Sequence, residues 1–210
     1  MPLFAVIAAL ALLGFHAADA GVLDRPNAAL AQIHTQIMWS RLIAVVEEQA
    51  QTMLRTAFST PVREAGDLSA GIFDLKGRMM AQAVTGTPGH VNTMATAVAH
   101  FFKKYPQASM KPGDVFITND PWLGTGHLFD YVMMTPVFLG KKLVAFFAST
   151  CHVIDVGGVG MSAKANSSFE EGTLIPHSRI RKEGKLNEEL LAIILANSRS
   201  PVEVRGDILS

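Results

Sequence analysis

The sequence predicts an α+β fold: antiparallel hairpins with a long N-terminal helix and further flanking helices. Three observations lead there. Apolar residues recur at helical spacing over some thirty positions near the start, two pairs of short apolar stretches are each joined by a glycine-containing turn, and no regular strand–helix alternation of the kind a doubly wound parallel sheet needs is present. With 210 residues the chain is long enough to bury a real core, and 49% apolar and 17% charged residues fit an ordinary globular protein. The formal net charge of +0 removes any electrostatic case for nucleic-acid or anionic-membrane partners. Cys151 is the single cysteine, so no intrachain disulfide can form, which leans towards a reducing compartment and a cytoplasmic location.

Residues 1–31 form an apolar N-terminal extension. Leu3 to Leu13 is almost wholly apolar, Ala18-Asp19-Ala20 resembles a small-residue cleavage site, and the first basic residue is Arg25. The run is shorter than the about 20 residues that cross a bilayer. A secretory signal peptide, an extension from a misassigned start codon and a buried N-terminal helix all remain open. After the break at Asp24-Arg25-Pro26-Asn27, the stripe Ile33, Ile37, Leu42, Val45, Val46, Met53, Leu54 and Ala57 predicts an amphipathic helix over about 29–58, stopped by Ser59-Thr60-Pro61. Ile33, Ile37, Val45 and Met53 are expected to be buried, with Glu47 and Glu48 turned to solvent or a partner.

Ser69 to Asp74 and Arg78 to Ala83, around Lys76-Gly77, read as a first hairpin. Asn92 to Phe102 has helical spacing with Asn92 or Thr93 as N-cap, and Asp114 to Thr118 reads as a buried strand after the Lys111-Pro112-Gly113 turn. Tyr131 to Phe138 and Leu143 to Cys151 form the second hairpin, with Gly140 at the first central position of a type II′ turn. Val156 to Phe169 is a glycine-, serine- and alanine-rich loop, and Asn187 caps a helix from Glu188 to about Ala196 with acidic residues in its first turn. Met79, Met80, Met133 and Met134 are core fillers.

The second hairpin makes a geometric claim. If Leu139 faces Lys142, then Asp130 lies opposite Cys151 and Phe129 opposite His152, so the segments Asn119–Asp130 and Ser149–Gly158 meet at one open end. Each segment holds a histidine followed three residues later by an aspartate. His127 and His152, with up to three carboxylates from Asp120, Asp130 and Asp155, would converge there. That donor set suits Mn²⁺, Zn²⁺ or Fe²⁺, with carboxylates favouring Mn²⁺, and such a cation polarises a carbonyl or activates water. The plain alternative is a set of His–Asp pairs that only hydrogen-bond loop backbone, with Asp120 as a turn initiator before Pro121. Gly157, Gly158 and Gly160 are a candidate anion cradle or an ordinary loop. Cys151 and His152 point to opposite faces as strand neighbours, which argues against a nucleophile pair. His90, after the Thr87-Pro88-Gly89 turn, is placed either to reach a substrate or to open a helix.

Many of these segments resemble one family. Arg55-Thr56-Ala57-Phe58-Ser59, Asp67-Leu68-Ser69, Phe73-Asp74, Gly77-Arg78 and Ala81-Gln82-Ala83 resemble the opening motifs of hydantoinase B/oxoprolinase subunits. Pro112-Gly113-Asp114-Val115, Asn119-Asp120-Pro121, His127-Leu128-Phe129-Asp130, His152 to Gly158, Glu171-Gly172, Ile175-Pro176, Asn187-Glu188 and Ala196-Asn197 follow in the family's order. The resemblance implies that residues 32–210 are the N-terminal part of such a domain, truncated. It implies an ATP-dependent amidohydrolase subunit that opens 5-oxoproline, as in glutathione metabolism, or a hydantoin ring. ATP and Mg²⁺ would be handled by a hydantoinase A-type partner subunit. An acetone-carboxylase-like subunit and a truncated non-catalytic interaction module are the alternatives. By resemblance, Glu64, His127, Asp130 and His152 would hold the divalent metal; Asp120, Asp155 and His90, read from the hairpin and the turn above, are the catalytic candidates.

Overall fold

A computed structural model describes residues 28–210; the apolar start and its three readings lie outside the described residues. In chain order the elements are helix α1 (Ala28–Thr56), the short α2 (Thr60–Arg63), strands β1 (Leu68–Phe73) and β2 (Met79–Gln82), helix α3 (Pro88–Lys104), and strands β3 (Val115–Thr118), β4 (Asp130–Leu139) and β5 (Lys142–His152). The short α4 (Ser168–Glu171), strands β6 (Ser178–Lys182) and β7 (Lys185–Leu186), and helices α5 (Glu188–Ala196) and α6 (Pro201–Leu209) complete the described chain. The strands make one sheet in the order β2-β1-β5-β4-β3-β6-β7, antiparallel at every pairing. The α+β class, the long N-terminal helix and the hairpins are as the sequence predicts.

Alternation along β4 and β5 divides the core into two layers. Tyr131, Ala145, Phe147 and Cys151 pack with Val46, Ala50 and Met53 of α1, Leu191 and Ile194 of α5, and Val204 and Ile208 of α6. Val132, Met134, Phe146 and Ala148 face the other way, onto Met94, Ala97, Val98 and Phe101 of α3.

Helix α1 departs from expectation in two ways. Its C-terminal half is buried, but Ile33 (53% exposed) and Ile37 (46%) lie beyond the sheet and stay open. Glu47 is not a solvent-facing charge. Its Oε2 accepts the N–H groups of Val84 (2.8 Å) and Thr85 (3.0 Å), and its Oε1 accepts from the Thr85 hydroxyl (2.6 Å). The segment leaving β2 passes over the helix there and needs an acceptor for its free amides.

Helix α3 starts at Pro88, not near Asn92, with proline in the first turn, where its missing N–H costs nothing. The end of the chain holds a hairpin and a helix that periodicity does not reveal. The β6–β7 turn runs through Glu183 (φ 50°) and Gly184 (φ 84°), a two-residue turn with both central residues left-handed. Glu183 tolerates this because its N–H is held by the buried Asp114 carboxylate at 2.9 Å. Helix α6 is fastened by Asp207, whose Oδ1 accepts from the N–H groups of Phe58 (2.9 Å) and Ser59 (3.1 Å).

The β4–β5 hairpin turns at Gly140 (φ 59°), the left-handed first position expected of a type II′ turn. Leu139 faces Lys142 and Phe138 faces Leu143, as predicted. Then a bulge intervenes: Val137 pairs with Ala145, leaving Val144 unpaired. Beyond it the register is shifted by one, so Asp130 lies opposite His152, not Cys151.

Candidate metal centre

The register shift decides the chemistry of the open hairpin end. Asp130 and His152 become direct partners on the α3 face of the sheet, while Tyr131 and Cys151 face the α1 layer. Burial pushes the Cys151 thiol up, so it is an inert core group with no part in a Cys–His pair.

Asp130 is the hub, a carboxylate only 2% exposed. Its Oδ1 lies 3.2 Å from His152 Nδ1; its Oδ2 lies 3.1 Å from His90 Nε2 and 3.3 Å from His127 Nε2. His127 Nδ1 accepts the Phe129 N–H at 3.2 Å, so the ring proton sits on Nε2, towards Asp130. His152 stacks on Phe129, with ring centroids 5.4 Å apart and planes at 11°. Burial alone would raise the Asp130 carboxyl, but hydrogen bonds from His152 and His90 and the nearby imidazole charges outweigh it and hold the group at about 2. His90 is subject to the same contest. Burial lowers its pKa, yet the bond to Asp130 and the charges of Asp130 and Asp67 carry it above the ordinary histidine value.

A second carboxylate stands behind the first. The β1–β5 pairing sets Leu68 against Cys151, and the His152 N–H donates to the Asp67 carbonyl at 3.0 Å. The Asp67 side chain then lies 3.6 Å from His152 Nδ1 and 3.5 Å from His90 Nε2, and accepts from the Thr87 hydroxyl at 2.7 Å. Three imidazoles and two carboxylates therefore meet at the first turn of α3, above the open ends of β1, β4 and β5.

Donor atoms of His127, Asp130 and His152 lie within 4.8 Å of one another, a mixed nitrogen–oxygen set suited to a divalent transition metal. The structure also brings His90 to this group. It does not bring Glu64, whose side chain is 65% exposed beside Arg63. Asp120 and Asp155 do not converge with Asp130 as the hairpin argument supposed, because each carboxylate is engaged in its own loop. Asp120 accepts from the N–H groups of Trp122 (3.0 Å) and Leu123 (3.1 Å), capping the turn at Pro121–Thr125. Asp155 binds the Arg199 guanidinium and backbone N–H, the Ser198 hydroxyl and Gly157 N–H, and its carboxyl is lowered by the Arg199 side chain against the pull of burial.

Two further residues position the centre without touching it. Asn119, fully buried, donates to the carbonyls of Leu128 (2.8 Å) and Thr173 (3.0 Å) and accepts the Ile175 N–H (2.6 Å). It ties the His127 turn to the chain after α4. Glu171 accepts the Leu128 N–H at 3.0 Å. Their neighbours in sequence give no sign of these roles. A buried asparagine before Asp-Pro reads as part of a turn, and the 43-residue separation of Leu128 and Glu171 hides the contact.

The sequence model of the family described as hydantoinase B/oxoprolinase matches residues 31–210. The chain belongs to the hydantoinase B/oxoprolinase family. It is 34% identical to the 5-oxoprolinase of Saccharomyces cerevisiae over 155 residues, which is 72% of this chain and 12% of that protein. Among solved structures it is similar to nucleotide-free acetone carboxylase, with a TM-score of 0.75 and 25% identity over 84% of this chain and 24% of that one. It is also similar to the ATP-dependent caprolactamase from Pseudomonas jessenii, with a TM-score of 0.70 and 27% identity over 83% of this chain and 30% of that one. The chain spans between 12% and 32% of the length of the first curated relatives it matches. No helix among the described residues is long and apolar enough to cross a membrane.

Proposed function

We propose that this chain forms the cation-bearing part of an ATP-dependent amidohydrolase that opens a small cyclic amide: 5-oxoproline, a hydantoin or a lactam. The observation that carries the reading is the convergence of His127, Asp130 and His152. The names of the relatives, 5-oxoprolinase and ATP-dependent caprolactamase, supply the substrate class. The nucleotide would be handled by a hydantoinase A-type partner; the curated caprolactamase relative is named as a beta subunit.

His127, Asp130 and His152 would hold a divalent cation, Mn²⁺, Zn²⁺ or Fe²⁺, with Asp67 rather than Glu64 as the fourth side chain. When bound, the cation supplies Lewis-acid polarisation of a carbonyl oxygen. The remaining work falls to the chain itself. Asp130 orients His152 and His127 through its two oxygens. His90, between Asp130 and Asp67, holds a proton at Nε2 against both carboxylates. Asp120 and Asp155 shape the loops on either side.

The test is metal analysis of the full-length subunit with ATP-dependent turnover of 5-oxoproline, hydantoin and ε-caprolactam in the presence of its partner. One bound divalent cation and turnover of at least one ring are expected. A metal-free, inactive complex would overturn the reading. A carboxylase function has its own support in the likeness to acetone carboxylase. Consumption of acetone with bicarbonate and ATP, and of no cyclic amide, would establish that alternative.

A further inference from the structure

We propose that Glu171 is the base that takes a proton from the water that opens the ring, an assignment that rests on the cyclic-amide reading above. Beside the metal centre lies an open cleft of about 370 Å³. Phe129, Met161, Ala163 and Ala165 give it apolar surface, Gly160 and Ser162 interrupt that surface with polar groups, and His127 and Glu171 are the ionisable residues lining it. Apolar surface set among placed polar groups suits a small ring that carries an amide.

Glu171 is held in that wall from both sides. It ends α4, and its Oε1 accepts the Leu128 N–H at 3.0 Å, one residue along the chain from His127. Behind it, the glycine-rich loop closes tightly: Val159 N–H donates to the Glu170 carbonyl at 2.9 Å, and Thr173 N–H to the Val156 carbonyl at 2.8 Å. Gly158, at φ 55°, lies so near that a Cβ there would sit 2.6 Å from the Glu171 carbonyl oxygen. Oε2 has no hydrogen-bond partner among the described residues. The carboxylate is thus anchored by one oxygen, in a residue that lines the cleft.

The ring-opening step itself balances with water alone; ATP, handled by the partner as proposed above, is consumed in a separate step. Glu171 takes one proton from water as the water oxygen bonds to the amide carbon. The carbon–nitrogen bond then breaks, and the protonated Glu171 returns that proton to the departing nitrogen. Amide and water become carboxylic acid and amine.

Glutamine at this position separates a structural role from a chemical one. Its carbonyl oxygen still accepts the Leu128 N–H, but the side chain takes no proton at neutral pH. In the full-length subunit with its partner, Glu171→Gln is expected to lower kcat on ε-caprolactam by about 100-fold or more. KM, bound metal and melting temperature should stay near the wild-type values. Wild-type kcat in Glu171→Gln overturns the assignment and leaves the cyclic-amide reading intact. A wild-type complex that opens no cyclic amide overturns both. The Leu128 amide resonance provides a readout apart from turnover: ε-caprolactam should shift it in the metal-free chain, and no shift at saturating lactam also overturns the assignment.

Discussion

Asp130 lies directly across the sheet from His152, with 3.2 Å between Oδ1 and Nδ1, because a single unpaired residue, Val144, shifts the hairpin register by one. Without the bulge Asp130 would face Cys151, and His152 would face Phe129. Since side chains alternate faces along a strand, one residue of slip decides whether the carboxylate and the imidazole meet.

That relationship gives the first prediction. Deleting Val144 should prevent stable folding or eliminate cation binding, because either the turn or the whole run to His152 must change faces. Val144→Ala keeps the register and should cost no more than about 1 kcal/mol. Circular dichroism melts and metal titration of the two variants distinguish register from packing; a folded, metal-competent deletion would refute the bulge's role.

Asp130→Ala should remove cation binding and also destabilise the metal-free fold. The side chain is buried among three imidazoles, and removing one partner of such a set costs about 3–5 kcal/mol. Urea unfolding with chelator present measures it. An unchanged midpoint would mean that the imidazoles simply discharge and repack.

Glu47 predicts a pH dependence. Four hydrogen bonds, two of them from backbone N–H groups, outweigh its burial and lower the carboxyl from 4.5 to about 2. Its contribution to stability is therefore fully present above about pH 4.5 and lost as pH falls towards 2. Urea midpoints of the wild type should fall more steeply over that window than those of Glu47→Gln. Parallel curves would show that the carboxylate is not ionically engaged with the Val84-Thr85 segment.

Asn119→Ala should cost about 2–4 kcal/mol, since three backbone groups, two of them buried, lose their partner at once. The effect should concentrate at the centre. Hydrogen exchange is expected to speed up at Ile175 and around Leu128 before it does in β1 or β5, and uniform acceleration would argue against a local tie.

Asp155→Asn should loosen the glycine-rich segment that walls the cleft, because Asp155 joins Gly157 to Ser198 and Arg199. Faster exchange at Gly157 to Gly160, with bound metal retained, is the expected outcome. Loss of the metal instead would place Asp155 closer to the chemistry than its hydrogen bonds do.

Periodicity and turn chemistry reach the elements whose information is local. The helix from Glu188, capped by Asn187, runs to Ala196 as its spacing predicts, and Gly140 turns its hairpin as a type II′ position should. The family's motifs and the hairpin together single out His127, Asp130 and His152, which the fold brings within 4.8 Å. Long-range packing decides what those signals leave open. Glu183 enters a left-handed turn because a distant Asp114 holds its N–H. Helix α6 forms over a stretch of low amphipathicity because Asp207 and the α1 layer receive it. Asp67 joins the centre through a strand pairing that leaves no mark at the residue, and His90, which its turn singles out in the sequence, joins through the entry of α3. The sequence by itself determined the fold class and the β1–β2 and β4–β5 hairpins, since those depend on neighbours a few residues apart, and by family resemblance it proposed His127, Asp130 and His152 for the centre. Only the tertiary structure decided which carboxylates reach them, because a one-residue bulge, a buried amide and the meeting of three strand ends are properties of the packed chain.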